Sequence, residues 1–575
     1  MPTIGSTVNF RRFSMDLKTY IAAISTVLIV LFVSCGNRRE QIPLSVLMEQ
    51  TAVTAAPGQF PLTKEKSELT VLLAKPAHIS DLNNNLAAEW YEELTNVRVR
   101  YIHTPYHTAR ESANLHIATG DYPDIIMFSW MTTMDEINYG SQGIFVPLNE
   151  LIEQHSYWFH KVTEQIPDVI PAITLPDGKI YGLPNINQTL YTFYQHKAWV
   201  NRDWLDRLGL AMPETTEEFY EMLKVFQTMD PNGNGRDDEI PMMGYFGVNT
   251  QSWPYPFLLN SFVYFDPQTF LALEDGQVVF TADTEEFREG LRFIARLVDE
   301  GLLHRASFTQ NVDQARQLGM TPDAARIGVF TDLLWGGVVG DRLDMPDFRA
   351  DNYIAIPPLR GPRGVRYAQI TSVGINPAFA NITDNARDPV LAFRWLEGMY
   401  SEEATKNLRL GIKGVIHDDP DEGALGINRQ PALFKTLVYE GEPPHVSPYF
   451  APMLLGNQHV NFRIGRQTDW NDPEIIFETE VKAYLETVEK YHPFRPPSGV
   501  YYPLIVHHTA GETVDAGRMS SEIRTYVHEN IAAFLTGNRS LDRDWDAYIA
   551  GFRQLELSRY LELKQTAYNR QYRQR

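Results

Sequence analysis

Beyond Glu68 the apolar and polar positions fall into a regular succession of short elements. Leu69-Thr-Val-Leu-Leu-Ala74 is an apolar run of strand length. Asp81 to Leu94 puts Leu82, Leu86, Trp90 and Leu94 on one face at helical spacing. Val97-Arg-Val-Arg-Tyr-Ile102 alternates with the period of two that a half-buried strand requires. Thr108 to Thr119 predicts a second helix, stopped by Gly120-Asp121, and Asp124-Ile-Ile-Met-Phe128 a third strand. Strand, helix, strand, helix, strand predicts parallel βαβ units and an α/β lobe. Further along, Arg326 to Phe330 and Tyr353 to Ile356 read as strands, and Pro389 to Tyr400 and Glu402 to Leu410 as helices. From Met519 the chain reads as mostly helical, with Ile523, Val527, Ile531 and Phe534 as one stripe. There is no internal repeat and no low-complexity tract. Composition marks no domain boundary, which fits lobes built from interleaved segments.

The N-terminus has a different pattern. Tyr20 to Val33 is a stretch of 14 residues without a charge, preceded by Arg11, Arg12 and Lys18. A basic flank, a short apolar core and a small residue at the cut make a secretory signal. The core falls short of the about 20 apolar residues that span a membrane. It ends in Phe32-Val-Ser-Cys35, which resembles a bacterial lipobox except at Phe32, where Leu is usual. On that reading residues 1–34 are a signal peptide and Cys35 is the lipidated first residue of the mature chain. An uncleaved anchor and plain secretion are the alternatives, and Met15 is a second candidate start. Gly36 to Lys66, with Pro43, Pro57 and Pro61, reads as a tether.

Composition narrows the function. Cys35 is the one cysteine in 575 residues, which excludes a disulfide framework, thiolate zinc sites and CxxC redox motifs. Lys and Arg total 51 against 72 Asp and Glu, a net charge of −21 that argues against a nucleic-acid partner. Removal of residues 1–35 leaves 48 against 71, so the acidity belongs to the exported body.

The sharpest local motif is Asp230-Pro-Asn-Gly-Asn-Gly-Arg-Asp-Asp-Glu239. Oxygen-bearing side chains fall at Asp230, Asn232, Asn234 and Asp238, Gly235 sits where an EF-hand loop turns sharply, and Arg236 offers a backbone carbonyl. The loop departs from an EF-hand because Pro241, not Glu, occupies its twelfth position; the neighbouring Glu239 is the substitute carboxylate. The expected ion is a structural calcium, since a loop closed by its own ligands leaves little coordination open for chemistry. An Asn-Gly turn without metal is the alternative.

Several stretches carry a family resemblance: Thr119-Gly-Asp-Tyr-Pro-Asp-Ile-Ile126, Asp177-Gly-Lys-Ile-Tyr-Gly-Leu-Pro184, Trp199 to Leu210 followed by Pro213-Glu-Thr-Thr-Glu-Glu-Phe219, and Asn530 to Tyr568 with Phe534-Leu-Thr-Gly537 and Trp545-Asp-Ala-Tyr548. In this order, over about residues 68–570, they resemble the extracellular solute-binding lipoproteins of ABC carbohydrate importers. The likeness is to the large oligosaccharide-binding type, similar to alginate-oligosaccharide-binding and LplA-like lipoproteins. The resemblance implies a class II periplasmic-binding-protein-like α/β fold, with two lobes closing by a hinge on a ligand held in the cleft between them. It implies a carbohydrate ligand, permease subunits as partners, a lipid-anchored extracytoplasmic monomer, and no enzyme activity. It divides the chain into residues 35–67 as lipidated Cys and tether, 68–182 with about 325–368 as lobe 1, 183–324 with about 369–518 as lobe 2, and 519–575 as C-terminal helices.

A sugar site needs aromatic platforms for C–H faces and amides and carboxylates for hydroxyls. Open α/β sheets place ligands at the C-terminal ends of their strands. Trp130 follows one strand, Trp335 another, and Trp253 lies in a loop; for Trp335 and Trp253 the resemblance favours ligand contact over core packing. Tyr181, Asn185 and Asn187 lie by the expected crossing between lobes and Gln369 by the return, while Asp124 either contacts ligand or caps its strand. Arg409, Lys413 and His417 either favour a uronate or face solvent. The rival readings are a secreted glycoside hydrolase or lyase and a sugar sensor for a membrane kinase. No GxSxG, HExxH or P-loop motif supports a catalytic function. Pro105 breaks the His103–His107 pair as a helical zinc motif, and His507-His508 reads as solvent-exposed.

Overall fold

The structure is a computed structural model that describes residues 43–76, 81–246, 250–321, 325–340, 352–437, 451 and 454–573. Cys35 and the signal segment lie outside the described residues. The chain forms two compact units, Met1–Gln50 and Thr51–Arg575. The first contributes the helix Leu44–Glu49. Among the described residues no helix is long and apolar enough to cross a membrane.

The body is built on two sheets. The first has six strands in the order Asn457–Gln458, Gly182–Asn187, Ile375–Ile382, Ile125–Met127, Ser67–Lys75 and Val97–Pro105. Ser67–Lys75 runs parallel to Val97–Pro105 in register from Ser67↔Val97 to Lys75↔Pro105, and parallel to Ile125–Met127. Ile375–Ile382 is antiparallel to both its neighbours, so Gly182–Asn187 runs the same way as Ile125–Met127. Two helices lie between them as expected. The first starts at Leu86, after a short turn Leu82–Asn84, and buries Ala87, Ala88, Tyr91 and Thr95. Leu86 is exposed and Trp90 and Leu94 are half-buried, which corrects the predicted face of Leu82, Leu86, Trp90 and Leu94. Leu86–Thr95 starts on an Asn85 cap and ends with Asn96 at φ 57°; Ala109–Thr119 ends on Gly120 at φ 74°. Left-handed C-terminal residues of this kind let the next strand turn back.

The second sheet has the order Tyr353–Ile356, Lys197–Asn201, Ile327–Asp332, Ile240–Met243. This corrects the expected division of the chain. Residues 325–368 supply two strands to the second sheet rather than to lobe 1, and Ile375–Ile382 with the helices Pro389–Gly398 and Glu402–Leu410 returns to the first sheet rather than to lobe 2. The cause is burial. Every residue of Ile327–Asp332 is buried, so it takes an interior place between Lys197–Asn201 and Ile240–Met243. Residues 51–66 also differ from a free tether. Thr51 Oγ1 and Ala52 N donate to Asp388, Leu62 N donates to Thr95 O, and Arg394 donates to the carbonyls of Ala55 and Ala56.

The predicted C-terminal stripe is real: Ile523, Val527, Ile531 and Phe534 are all buried on the helix Ala510–Leu535, which starts nine residues earlier than expected, on a Thr509–Glu512 capping box. The helix packs on Glu285–Asp299. The segment before it joins the first lobe. His507, expected at the surface, is buried with Nε2 2.6 Å from Ala172 O, and Gln571 donates to Pro171 O at 2.9 Å while accepting from His507 N.

The chain passes between the sheets at one end of both. Gly182–Asn187 runs out through residues 188–196 into Lys197–Asn201, and residues 371–374 return it into Ile375, which pairs with Ile186. Asn457–Gln458, parallel to Gly182–Asn187, leads out again beside them. The crossings bond to one another: Thr371 N to Phe193 O at 2.8 Å, Asn187 N to Gly374 O at 2.8 Å, Gln188 N to Gln458 O at 2.8 Å. Gly374 has φ 66°, and a Cβ there would stand 2.5 Å from Asn187 O. Gly374→Ala is expected to cost about 1–3 kcal/mol in urea unfolding, because the left-handed backbone and the close approach are both penalised; an unchanged midpoint would remove Gly374 from the crossing's requirements.

Candidate functional site

Strand direction decides which ends meet. The C-terminal ends of Ser67–Lys75, Val97–Pro105 and Ile125–Met127 lie at the crossing end of the first sheet, with Asn187. In the second sheet the C-terminal ends of Ile240–Met243 and Ile327–Asp332 lie beside Lys197, where the chain enters. The strand ends at which open α/β sheets generally present ligands are therefore brought to the crossings in both sheets.

On the first sheet this end is aromatic. Past Met127 the chain takes φ 47° at Phe128 and φ 59° at Trp130, two bulky residues in the left-handed region. Strain of this kind clusters at functional sites. It is held by packing. Phe128 N donates to Phe379 O at 2.8 Å, within a register shift of Ile375–Ile382, and the Phe128 ring lies 5.4 Å from Phe379 and 5.9 Å from Tyr106. Trp130 lies 5.3 Å from Phe128 and edge-on to Tyr106 at 5.4 Å, donates to Tyr106 O, and is 45% exposed. A supported indole with a free face is a stacking platform.

On the second sheet the same end combines an aromatic stack with a buried polar cluster. Phe246 and Trp253 stack at 4.6 Å and 21°, and His528 meets Trp253 edge-on at 4.8 Å. The Trp253 Nε1 is buried without a hydrogen-bond partner. Lys197, fully buried, donates to the carbonyls of Tyr191 and Leu333, both at 3.0 Å. The Asp332 carboxylate accepts from Tyr245 Oη at 2.8 Å, Leu333 N at 2.7 Å and Gln251 at 3.3 Å. Burial pushes Asp332 up and Lys197 down, the latter to about 7.

The predicted residues separate on this geometry. Trp130 and Trp253 lie at the strand ends, and Asn187 opens the outward crossing with its amide oxygen taken by Thr189 Oγ1 at 2.6 Å. Gln369, beside the return, lines a pocket of about 380 Å³ with His196, Asp266 and Thr371. Trp335 is a correction: it is 4% exposed, edge-on to Trp199 at 5.2 Å with the Lys482 ammonium 4.5 Å over its ring, so it fills the core and presents no free face. Tyr181 is a second, since it stands at the start of its strand, buried beneath Gly140 with its hydroxyl on Asp177. Asn185 is tied to Arg409 within the first lobe. Asp124 caps: it accepts from Thr70 N and Oγ1, both at 2.7 Å, at the opposite end of its strand. It lines a groove of about 970 Å³ there, at the end of the sheet away from the crossings. The basic residues after Leu408 are also engaged, Arg409 with Asn185, Lys413 with Asp419 at 2.6 Å, and buried His417 with Gly411 O. Tyr106, Phe246, Lys197, His196 and Asp332 were not singled out by sequence; a lysine opening the apolar run Lys197-Ala-Trp-Val was the available signal.

The Asp230–Glu239 loop lies between the helix Thr216–Thr228 and the strand Ile240–Met243, at the end of the second sheet away from the crossings. Gly233 and Gly235, at φ 71° and 72°, curl it so that Asp230 accepts from Gly233 N, Asn234 N and Gly235 N. Asn232 and Asn234 both donate to Asp238 Oδ1 at 3.1 Å, Arg236 N donates to Asn234 Oδ1, and Arg326 flanks Asp238. Glu239 Oε1 is buried without a partner, and burial together with the charges of Asp230 and Asp238 pushes Glu239 up. Three carboxylates crowded beside amide oxygens, with the Glu239 Oε1 unpartnered, suit a hard cation. As folded, the described residues hold no group of three or more His, Cys, Asp or Glu placed around a metal, so the ligand set would have to mix carboxylates with amide and carbonyl oxygens.

Comparison with known proteins adds three relatives. The profile of the bacterial extracellular solute-binding protein family matches residues 77–406. The fructooligosaccharide ABC transporter substrate-binding protein FusA of Streptococcus pneumoniae serotype 4 is 25% identical over 569 residues, 96% of this chain and 99% of that protein. Its structure with kestose shares the fold at a TM-score of 0.66, 24% identity, 88% of this chain and 99% of that one; an EF-hand mutant of FusA has also been solved. An extracellular solute-binding protein of Bifidobacterium longum subsp. infantis gives 0.72 at 20% identity over 88% of this chain and 98% of that one. The alginate-binding protein AlgQ2, solved without calcium ion, gives 0.58 at 22% over 89% and 100%.

Lys197 provides a test of the polar cluster. Its folded pKa lies below its ordinary 10.5, so between about pH 7 and 10.5 the native state binds fewer protons than the unfolded state and this group makes stability rise with pH. Lys197→Met is expected to flatten the melting temperature–pH curve between pH 7 and 9; curves that stay parallel would show that Lys197 is not neutralised by burial.

Proposed function

Because this chain belongs to the bacterial extracellular solute-binding protein family, we propose that it is the capture subunit of an ABC carbohydrate importer. It takes an oligosaccharide between its lobes and delivers it, unaltered, to the permease subunits. The observation that carries this reading is the exposed, strained and supported Trp130 at the strand ends of one lobe, with the Phe246–Trp253 stack at the strand ends of the other. Sugar rings stack on such faces, and closure about the crossings excludes water from the hydrogen bonds to their hydroxyls.

The protein acts as a monomer on the outer side of the cell membrane, held by lipid on Cys35. It is not an enzyme. Glycoside hydrolysis needs two carboxylates flanking the bond; of the carboxylates near these strand ends, Asp332 is committed to three donors and Asp266 to Gln268 N, Thr269 Oγ1 and Gln369 Nε2. The 230–239 loop holds a structural calcium through Asp230, Asn232, Asn234, Asp238 and Glu239 with the Arg236 carbonyl. The ion ties the loop together and takes no part in sugar capture. The EF-hand variant of FusA supports attention to this loop.

The ligand class is set by titration calorimetry against kestose, a neutral milk oligosaccharide, an alginate oligomer and a galacturonate trimer. At least one is expected to bind and to be recovered intact; cleavage products would replace the reading with an enzyme. Trp130→Ala and Trp253→Ala are each expected to weaken binding about tenfold to hundredfold, or about 1.4–2.8 kcal/mol, and binding unchanged in both would move the sugar elsewhere. Chelation of calcium is expected to lower the parent's melting temperature. Saturating the ion about 100-fold above its Kd contributes about 2.7 kcal/mol, and Glu239→Gln is expected to abolish most of the response.

A further inference from the structure

The chain crossings lie side by side at one edge of the first sheet, so by themselves they leave the direction of lobe rotation open. A second contact between the lobes stands inward of that edge. His507 and Gln571, 5% and 6% exposed, hold it. His507 Nε2 lies 2.6 Å from Ala172 O, a group that can only accept, so Nε2 carries the proton. Burial keeps the ring neutral, which leaves Nδ1 to accept from Thr133 Oγ1 at 3.3 Å. Gln571 Nε2 donates to Pro171 O at 2.9 Å and to Ile505 O at 3.1 Å, and its Oε1 accepts from His507 N at 2.8 Å. Every polar atom of both side chains is used.

The acceptors and the hydroxyl are on the first lobe. The helix Val169–Ile173, which includes Pro171 and Ala172, packs on Gly182–Asn187 and Ile375–Ile382, and Thr133–Ser141 packs on Ile375–Ile382. His507 and Gln571 are held by the second lobe. The helix Leu557–Tyr568 leads into Gln571 and packs on Gln277–Phe280, and Arg573 donates to Asp275 O at 2.9 Å. The helix Ala510–Leu535, 26 residues and about 39 Å long, touches Thr133–Ser141 of the first lobe and Glu285–Asp299 of the second.

This contact adjoins the hinge. A cavity of about 170 Å³ is walled by Ala172, by Val373 and Ile375 of the return crossing, and by Ile505 and Tyr572. When one lobe rotates against the other, points close to the axis move least. Bonds beside the return crossing can therefore persist through closure, whereas bonds at the mouth of a cleft cannot. We propose that His507 and Gln571 are positioning residues for sugar capture: they form a non-covalent second pivot that, with the crossings, sets the axis on which the lobes close. The inference rests on the carbohydrate-capture reading and adds residues that do not touch the sugar. Thr133 lies three residues past Trp130, so the same pivot holds the loop that carries the stacking platform. An axis fixed in the free protein narrows the arrangements that binding must select, and its loss lowers affinity without loss of a sugar contact.

The test uses the purified protein with the tightest binder of the four probes. Gln571→Leu removes the bonds to Pro171 and His507, and Gln571→Glu keeps the acceptor for His507 N but loses the donor to Pro171 O. Thr133→Val removes the hydroxyl and Thr133→Ser restores it. By calorimetry both Gln571 variants are expected to bind about threefold to tenfold more weakly, Thr133→Val about threefold, and Thr133→Ser within about twofold of the parent. By small-angle X-ray scattering the ligand-free Gln571 variants are expected to have a larger radius of gyration than the parent, and the same radius when saturated. Unchanged affinity in the Gln571 variants would overturn the pivot, as would weaker binding with an unchanged free-state radius. Tighter binding would overturn it too, because the contact would then be a brake on closure. Equal losses in Thr133→Val and Thr133→Ser would remove the hydroxyl and overturn the pivot as drawn. If Trp130→Ala weakens binding and the Gln571 variants do not, the capture reading stands and the pivot falls. If no probe binds or products appear, the capture reading falls, and the free-state radius of Gln571→Leu still decides whether this contact holds the lobes.

Discussion

The structure depends on one constraint: the chain must cross between two sheets while keeping its backbone groups bonded. It does so at the edge of the first sheet where Gly182–Asn187, Ile375–Ile382 and Asn457–Gln458 lie side by side. There the outward and returning segments satisfy one another, Thr371 on Phe193, Asn187 on Gly374 and Gln188 on Gln458. Because Gly182–Asn187 runs parallel to the inner strands, the crossings emerge at the ends of those strands where open sheets present ligands. The crossings and the strand ends at which such sheets present ligands are therefore adjacent for a topological reason. The backbone closure of Gly374 on Asn187 leaves no room for a side chain, so a small residue is required where the lobes must pivot.

The two lobes prepare their facing ends differently. The first spends backbone strain: Phe128 and Trp130 adopt left-handed conformations held by Tyr106 and Phe379, and the result is an indole that packing supports but does not cover. The second buries charge beneath its surface. Lys197 and Asp332 are each satisfied by local donors and acceptors, and burial drives both toward neutrality. That floor is polar and preorganised without presenting net charge, which suits a hydroxyl-rich ligand better than an ionic one. The metal-type loop sits at the far end of the second sheet, where it can brace the helix–strand connection without touching a ligand.

Much of this was legible in the residues. Leu69–Ala74, Val97–Ile102 and the helix Ala109–Thr119 stand where the residues predict them, and the helix Glu402–Leu410 and strand Tyr353–Ile356 have the predicted bounds. Trp130 was legible because position after a buried strand is a local property. Trp335 occupies the same kind of position and is buried, since what covers a strand end is decided by distant chain, here Trp199 and Lys482. His507 gave the same lesson: a tandem histidine on a proline-led loop reads as exposed until Ala172 and Gln571 close on it. The interleaving of lobes was illegible for a related reason. Which sheet a buried strand joins depends on which partner has an open edge, and the strand's own residues do not encode that.

By itself the sequence determined the elements, the α/β class, the acidic, disulfide-free body, the candidate export signal ending at Cys35 and the spacing of oxygens from Asp230 to Glu239, because each follows from local periodicity, composition or chain-neighbour chemistry. The tertiary structure alone decided that residues 325–368 belong to the second sheet, that Tyr181, Asn185 and Trp335 serve the interior, and that His196 meets Gln369 in one pocket. These are contacts between residues far apart in the chain. They arise from the competition of whole segments for buried positions, which no local pattern records.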